Sequence, residues 1–96
     1  MKTEWEKYLG LAIKAGAVVY GIDKILQNKN IYLVLIDYTA TENLQAKVMN
    51  FVKKNNIPKI NLDNKIDEII KSNNCKVIGI TNENLAKQIK SIIFKE

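Results

Sequence analysis

The chain is 96 residues long, 47% apolar and 26% charged, with fifteen basic side chains against ten acidic ones and a net charge of +5. That size and balance give one domain (residues 1–96) with a modest core, and the positive excess favours phosphate-rich partners. The lack of histidine removes Ser-His-Asp and Cys-His nucleophile pairs and imidazole metal ligands, the single Cys75 removes an internal disulfide, and no apolar run reaches the roughly 18–20 residues of a membrane span.

Thr3-Glu4-Trp5-Glu6 has the spacing of a capping box. It leads into Trp5, Tyr8, Leu9, Ala12 and Ile13, the apolar stripe of an amphipathic first helix. Gly16 is placed to end that helix in the left-handed region, and Ala17 to Tyr20 follow as a short strand. A second helix opens near Gly21 with Ile22, Ile25 and Leu26 as its inner side. Ile31 to Ile36 is a continuous apolar run of strand length, as expected of a strand covered on both faces.

Thr39-Ala40-Thr41-Glu42 forms another capping box, with Thr39 as the expected cap, and the third helix turns Leu44, Val48, Phe51 and Val52 inward. Asn55-Asn56-Ile57-Pro58 breaks it, and Pro58 suits the entry of a strand over Lys59 to Leu62. Asp63 can cap a short helix with Ile66, Ile69 and Ile70 as its core side. Val77 to Ile80 is a second fully apolar strand, and a last helix, capped near Asn82, buries Leu85, Ile89, Ile92 and Ile93. Alternation of helices with apolar strands predicts an α/β fold with helices on both sheet faces, a three-layer α-β-α sandwich.

Chemistry-bearing residues are sparse. Cys75 opens an apolar strand and reads as a buried bystander thiol. Asp37 ends the first long strand, where α/β sheets often bind ligands, but nothing nearby in sequence pairs with it for catalysis. Gly79, inside an apolar strand, reads as a site of close packing against a helix. Lysine pairs such as Lys53-Lys54 and Lys87-Lys90 read as solubilising surface. No catalytic set, metal site or cofactor is expected. Every basic residue is lysine, so no guanidinium fork is present to clamp a phosphate or a guanine edge, although the chain is rich in Lys, Asn and Ile throughout.

The segment Lys14 to Lys24 is the most distinctive. Gly16 and Gly21 lack the Gly-Lys-Ser/Thr ending of a phosphate loop. Gly21 opens a helix, where backbone N–H groups and the helix dipole suit an anion, and Asp23, Lys24, Gln27 and Asn28 form one outward polar face. On the residues alone, that face is more simply a solvated helix surface.

Leu9 to Gly21, LGLAIKAGAVVYG, resembles the Leu-Gly-Leu-Ala-x-Arg-Ala-Gly-Lys-x-x-x-Gly opening of the bacterial YlxQ-type proteins, members of the kink-turn-binding ribosomal protein superfamily of the L-seven-Ae type. Leu33 to Asn43, Asn55 to Pro58 and Ile80 to Ile89 are similar to further pieces of that family in the same order, so the resemblance spans nearly the whole chain. It implies a four-stranded mixed sheet within the α-β-α sandwich. The family's RNA-binding segment, Gly-x-Asn-Glu-x-x-Lys, falls on Gly21, Asp23, Lys24 and Gln27, with Ile22 between the first two. A second contact loop falls on Leu62, Asp63, Asn64 and Lys65.

By that resemblance Gly21 would let backbone approach RNA, and the polar positions would meet the sheared G·A pairs of a kink-turn. The chain departs from the pattern with Asp23 for Asn, Lys24 for Glu, Gln27 for Lys and Ala17 for the lysine after the first glycine. Asp23 still accepts hydrogen bonds from a guanine edge, and Lys24 supplies positive charge at a shifted place. The implied function is a cytoplasmic, non-enzymatic, ribosome-associated or regulatory RNA-binding protein whose partner is structured RNA, ribosomal or regulatory, and which is a monomer or weak dimer with no membrane partner. The alternative is a protein-interaction module of the same fold that has lost RNA specificity.

Overall fold

A computed structural model describes residues 4–28, 30–63, 66 and 75–95. In chain order its elements are α1 (Glu4–Lys14), β1 (Val18–Tyr20), α2 (Ile22–Gln27), β2 (Leu33–Asp37), α3 (Glu42–Asn55), β3 (Lys59–Leu62), β4 (Val77–Ile80) and α4 (Glu83–Lys95). The four strands form one sheet in the order β1-β4-β2-β3. β4 lies antiparallel to both β1 and β2, while β2 and β3 run parallel, so the sheet is mixed. The expected Thr3 cap and the short helix after Asp63, apart from Ile66, lie outside the described residues.

Side-chain alternation divides the core into two layers. Leu33 and Leu35 of β2, Ile60 and Leu62 of β3 and Ile78 and Ile80 of β4 pack with Trp5, Leu9 and Ala12 of α1 and Ala86 and Ile89 of α4. Val34 and Ile36 of β2 and Val77 of β4 face the other way, toward Ile25 of α2 and Val48 and Val52 of α3. Helices therefore cover both faces, and the protein is a three-layer α-β-α sandwich. All five residues of β2 and all four of β4 are buried, which is why β4 and, up to Asp37, β2 read as unbroken apolar runs.

The helix ends follow local chemistry. Gly16, at φ +69°, closes α1 in a Schellman motif: the Ala17 N–H donates to Ala12 O at 2.8 Å and the Gly16 N–H to Ile13 O at 3.1 Å. At the end of α3 the left-handed residue is Asn56, with φ 54°, and the Ile57 N–H donates to Val52 O at 3.0 Å. The start of α3 differs from expectation. Thr41, not Thr39, is the cap, its hydroxyl accepting from the Leu44 N–H at 3.2 Å, because Thr39 is already bonded to Asp37. Thr41→Ala is expected to lower stability by about 1 kcal/mol, read as a shift of the urea unfolding midpoint at unchanged slope.

Leu26 is a second correction. It was expected on the inner side of α2, yet it is 49% exposed beside the fully buried Ile25. The six-residue α2 offers one inward position per turn, and Ile25 takes it.

Candidate RNA-binding edge

The candidate residues gather at one end of the sheet, where β1, β2 and β3 finish and β4 begins. Tyr20 pairs with Ile78, and the Gly21 N–H continues that ladder by donating to Val77 O at 3.1 Å. Val77 pairs with Ile36, the Asp37 N–H donates to Lys76 O at 2.9 Å, and Asp37 pairs with Leu62, which precedes Asp63. Three strand spacings, about 14 Å, separate the Gly21 side of this edge from the Asp63 side. Gly21 and Asp63, one from each segment implied by the resemblance, thus share one edge.

Gly21 caps α2 with φ 86° and ψ 153°, a conformation that residues with a Cβ rarely adopt. A Cβ there would have open space around it, so backbone conformation and not crowding sets the need for glycine. The cap supplies no side-chain acceptor to the first turn of α2, and its own N–H is spent on Val77. Asp23, Lys24 and Gln27 are exposed, and their i, i+1, i+4 spacing puts them on one face.

Two candidate positions have other work. Ile22 is half-buried and packs against the α2–α3 side of the core, and Leu62, at 5% exposure, belongs to the opposite layer. Neither offers a free side chain to a ligand. Asp63 is exposed directly after β3. Asn64 and Lys65 lie outside the described residues.

At the centre of the edge is Asp37, 3% exposed. One carboxylate oxygen accepts from the Thr39 N–H at 2.7 Å and from the Thr39 hydroxyl, and the other accepts from the Ile66 N–H at 3.0 Å. The Thr39 hydroxyl in turn accepts from Lys76 Nζ at 2.8 Å. Burial raises the Asp37 pKa, but the Thr39 hydroxyl, the Ile66 and Thr39 N–H groups and the Lys76 charge outweigh it, so the carboxyl titrates below its ordinary value. A carboxylate so fully engaged by donors is a poor proton acceptor, and its arrangement is that of a structural anchor.

The edge also carries residues that sequence reasoning passed over. Tyr20 and Tyr38, 37% and 59% exposed, follow the ladder on either side of Lys76. Each stands at the carboxyl end of a strand, beside Gly21 and Asp37, and that position was a usable signal. Trp5, by contrast, is core at 6% exposure, as its place on the α1 stripe implied. Cys75 is buried, its thiol 3.4 Å from Val77 O. Among the described residues no group of three or more acidic or cysteine side chains could hold a metal ion, and no helix is long and apolar enough to cross a membrane.

These features define a small α-β-α domain with one polar, aromatic-flanked sheet edge. No family model matches the chain, and no curated protein does. Among solved structures it is similar to a protein with unknown function from Bacillus halodurans, at 22% identity over 97% of this chain and 99% of that one, with a TM-score of 0.87. Likeness at that identity shows a shared fold.

Proposed function

We propose that this protein binds structured, kink-turn-like RNA along the Gly21–Asp63 edge, acting without catalysis in the cytoplasm and in association with ribosomal RNA. The observation that carries the reading is that Gly21, from one of the segments matched to the family's RNA contacts, and Asp63, from the other, stand at the same end of the sheet. The positive φ at Gly21, the exposed Asp23–Lys24–Gln27 face and the two flanking tyrosines support it. Tyrosine rings can stack on splayed bases, Asp23 can accept from guanine, and lysines can meet phosphates. The net charge of +5 assists approach to such a partner.

A gel-shift titration tests this with a kink-turn RNA and a control lacking its G·A pairs. Tighter binding of the kink-turn is expected. Lys24→Ala with Gln27→Ala should weaken it, and loss of the Lys24 charge should reduce the slope of log affinity against log salt by about one. Both side chains are exposed, so the fold should persist. Equal, weak affinity for both RNAs, untouched by the double substitution, would instead support the interaction module without RNA specificity.

A further inference from the structure

At the other end of the molecule, away from the Gly21–Asp63 edge, the end of α2 and the middle and last turns of α3 leave an open groove of about 750 Å³. Its apolar side is formed by Leu26, Ile31, Phe51 and Ile57, and both ionisable residues that line it are lysines, Lys47 and Lys54. Leu26 is half exposed there. Lys47 and Lys54 are seven residues apart on α3, about 10.5 Å along its axis, so the two charges stand two turns apart on the α3 side of the groove. Lys54 lies in the last turn of α3, where it also complements the helix dipole, but Lys47 lies in mid-helix and has no such duty.

We propose that this groove docks an acidic, amphipathic helical segment of a partner protein: leucine-like side chains against Leu26 and the half-buried Ile57 and Phe51, and two carboxylates seven positions apart against Lys47 and Lys54. Charge complementarity selects this occupant. Among the described residues that line the groove both charged ones are cations, their spacing matches the i, i+7 repeat of a helix laid along it, and an apolar strip flanked by charge is the pattern a helix-in-groove contact reads. Nucleic acid fits it less well. The strip is mainly aliphatic, and the one ring, Phe51, is half-buried against the core, so no platform is free for bases to stack on.

Selection from a displayed library of random 12-residue peptides on the immobilised protein tests the proposal, followed by anisotropy titration of the most enriched peptide carrying a fluorescent label. Enriched sequences should pair Asp or Glu around Leu, Ile or Phe. Affinity should fall about tenfold or more in the Lys47→Glu, Lys54→Glu double variant and in Leu26→Ser, and weaken as salt rises. All three positions are exposed, and a thermal melt checks that the variants fold. Lys87→Glu, outside the groove, should bind as wild type does.

The proposal is overturned if no acidic-apolar sequences are enriched, or if the groove variants bind them unchanged. It is also overturned if a ten-nucleotide uridine RNA binds with the dependence on Lys47 and Lys54 while the peptide does not. Self-association abolished by Leu26→Ser, without peptide binding, would assign the groove to a second copy and overturn it too.

Discussion

Gly79→Val is expected to lower the unfolding free energy by about 2–3 kcal/mol. Gly79 sits in β4, the strand between β1 and β2, and its missing side chain would enter the α2–α3 layer. A Cβ there would lie 2.9 Å from Ile31 Cδ1, 3.3 Å from Ile31 Cγ2 and 3.3 Å from Ile25 Cγ1. Ile25 is fully buried and Ile31 nearly so, so neither can swing into solvent without exposing apolar surface. Valine's strand preference, at most about 1 kcal/mol in its favour, does not offset that overlap.

Gly79→Ala should be milder, because the shortest contact is to the end of one side chain. That allows a sharper test. Ile31→Val removes Cδ1 and alone should cost about 1 kcal/mol, yet combined with Gly79→Ala it should recover part of the alanine penalty. Urea unfolding of the two single variants and the double gives the coupling. Strictly additive losses would show that the 2.9 Å contact does not set the cost of a side chain at Gly79.

The strands were legible for a reason that also limits what sequence can show. Val77 to Ile80 reads correctly because burial on both faces leaves a run of apolar residues with no alternation to misread. Lys59 to Leu62 reads correctly because Pro58 fixes its start. The insertion of β4 between β1 and β2 has no local signature, since each strand's pattern is satisfied by any central neighbour. Thr39 and Thr41 show the same limit in miniature. The capping-box spacing at Thr39 is genuine, but Asp37 competes for its hydroxyl, and Thr41 is left to cap α3.

The candidate edge was legible only in pieces. Gly21, Asp23 and Lys24 could be grouped because they are consecutive on one short helix. Their placement at the same sheet end as Asp63 comes from register, through Val77, Ile36, Asp37 and Leu62. Leu26 stays half exposed because, among the described residues, the α3 side chains that share its groove are lysines and asparagines apart from Phe51. The same mismatch makes the groove.

Asp37→Asn is expected to cost about 2–3 kcal/mol at neutral pH, the second large effect, and the loss should shrink in acid. The carboxylate accepts from two backbone N–H groups through different oxygens, so it ties the start of the Thr39 turn to Ile66, 29 residues away. An amide keeps one acceptor oxygen and turns two N–H donors toward the second site, leaving one partner facing a donor. Since the carboxyl titrates below its ordinary value in the folded protein, its charge stabilises the fold fully at pH values above the unfolded pKa near 4. As pH falls through that range the unfolded chain takes up the proton first, and the stabilisation is gone once pH drops below the folded value. Urea midpoints of wild type and Asp37→Asn should therefore differ most from pH 5 to 7 and draw together as pH falls below about 4. Lys76→Met should reproduce a smaller part of the neutral-pH loss, because Lys76 makes its hydrogen bond to the Thr39 hydroxyl and its charge is the least of the influences that lower the Asp37 pKa. A gap between wild type and Asp37→Asn that stays constant down to acid pH would mean the buried charge is not what holds this end of the sheet together, and the anchor would then rest on shape alone.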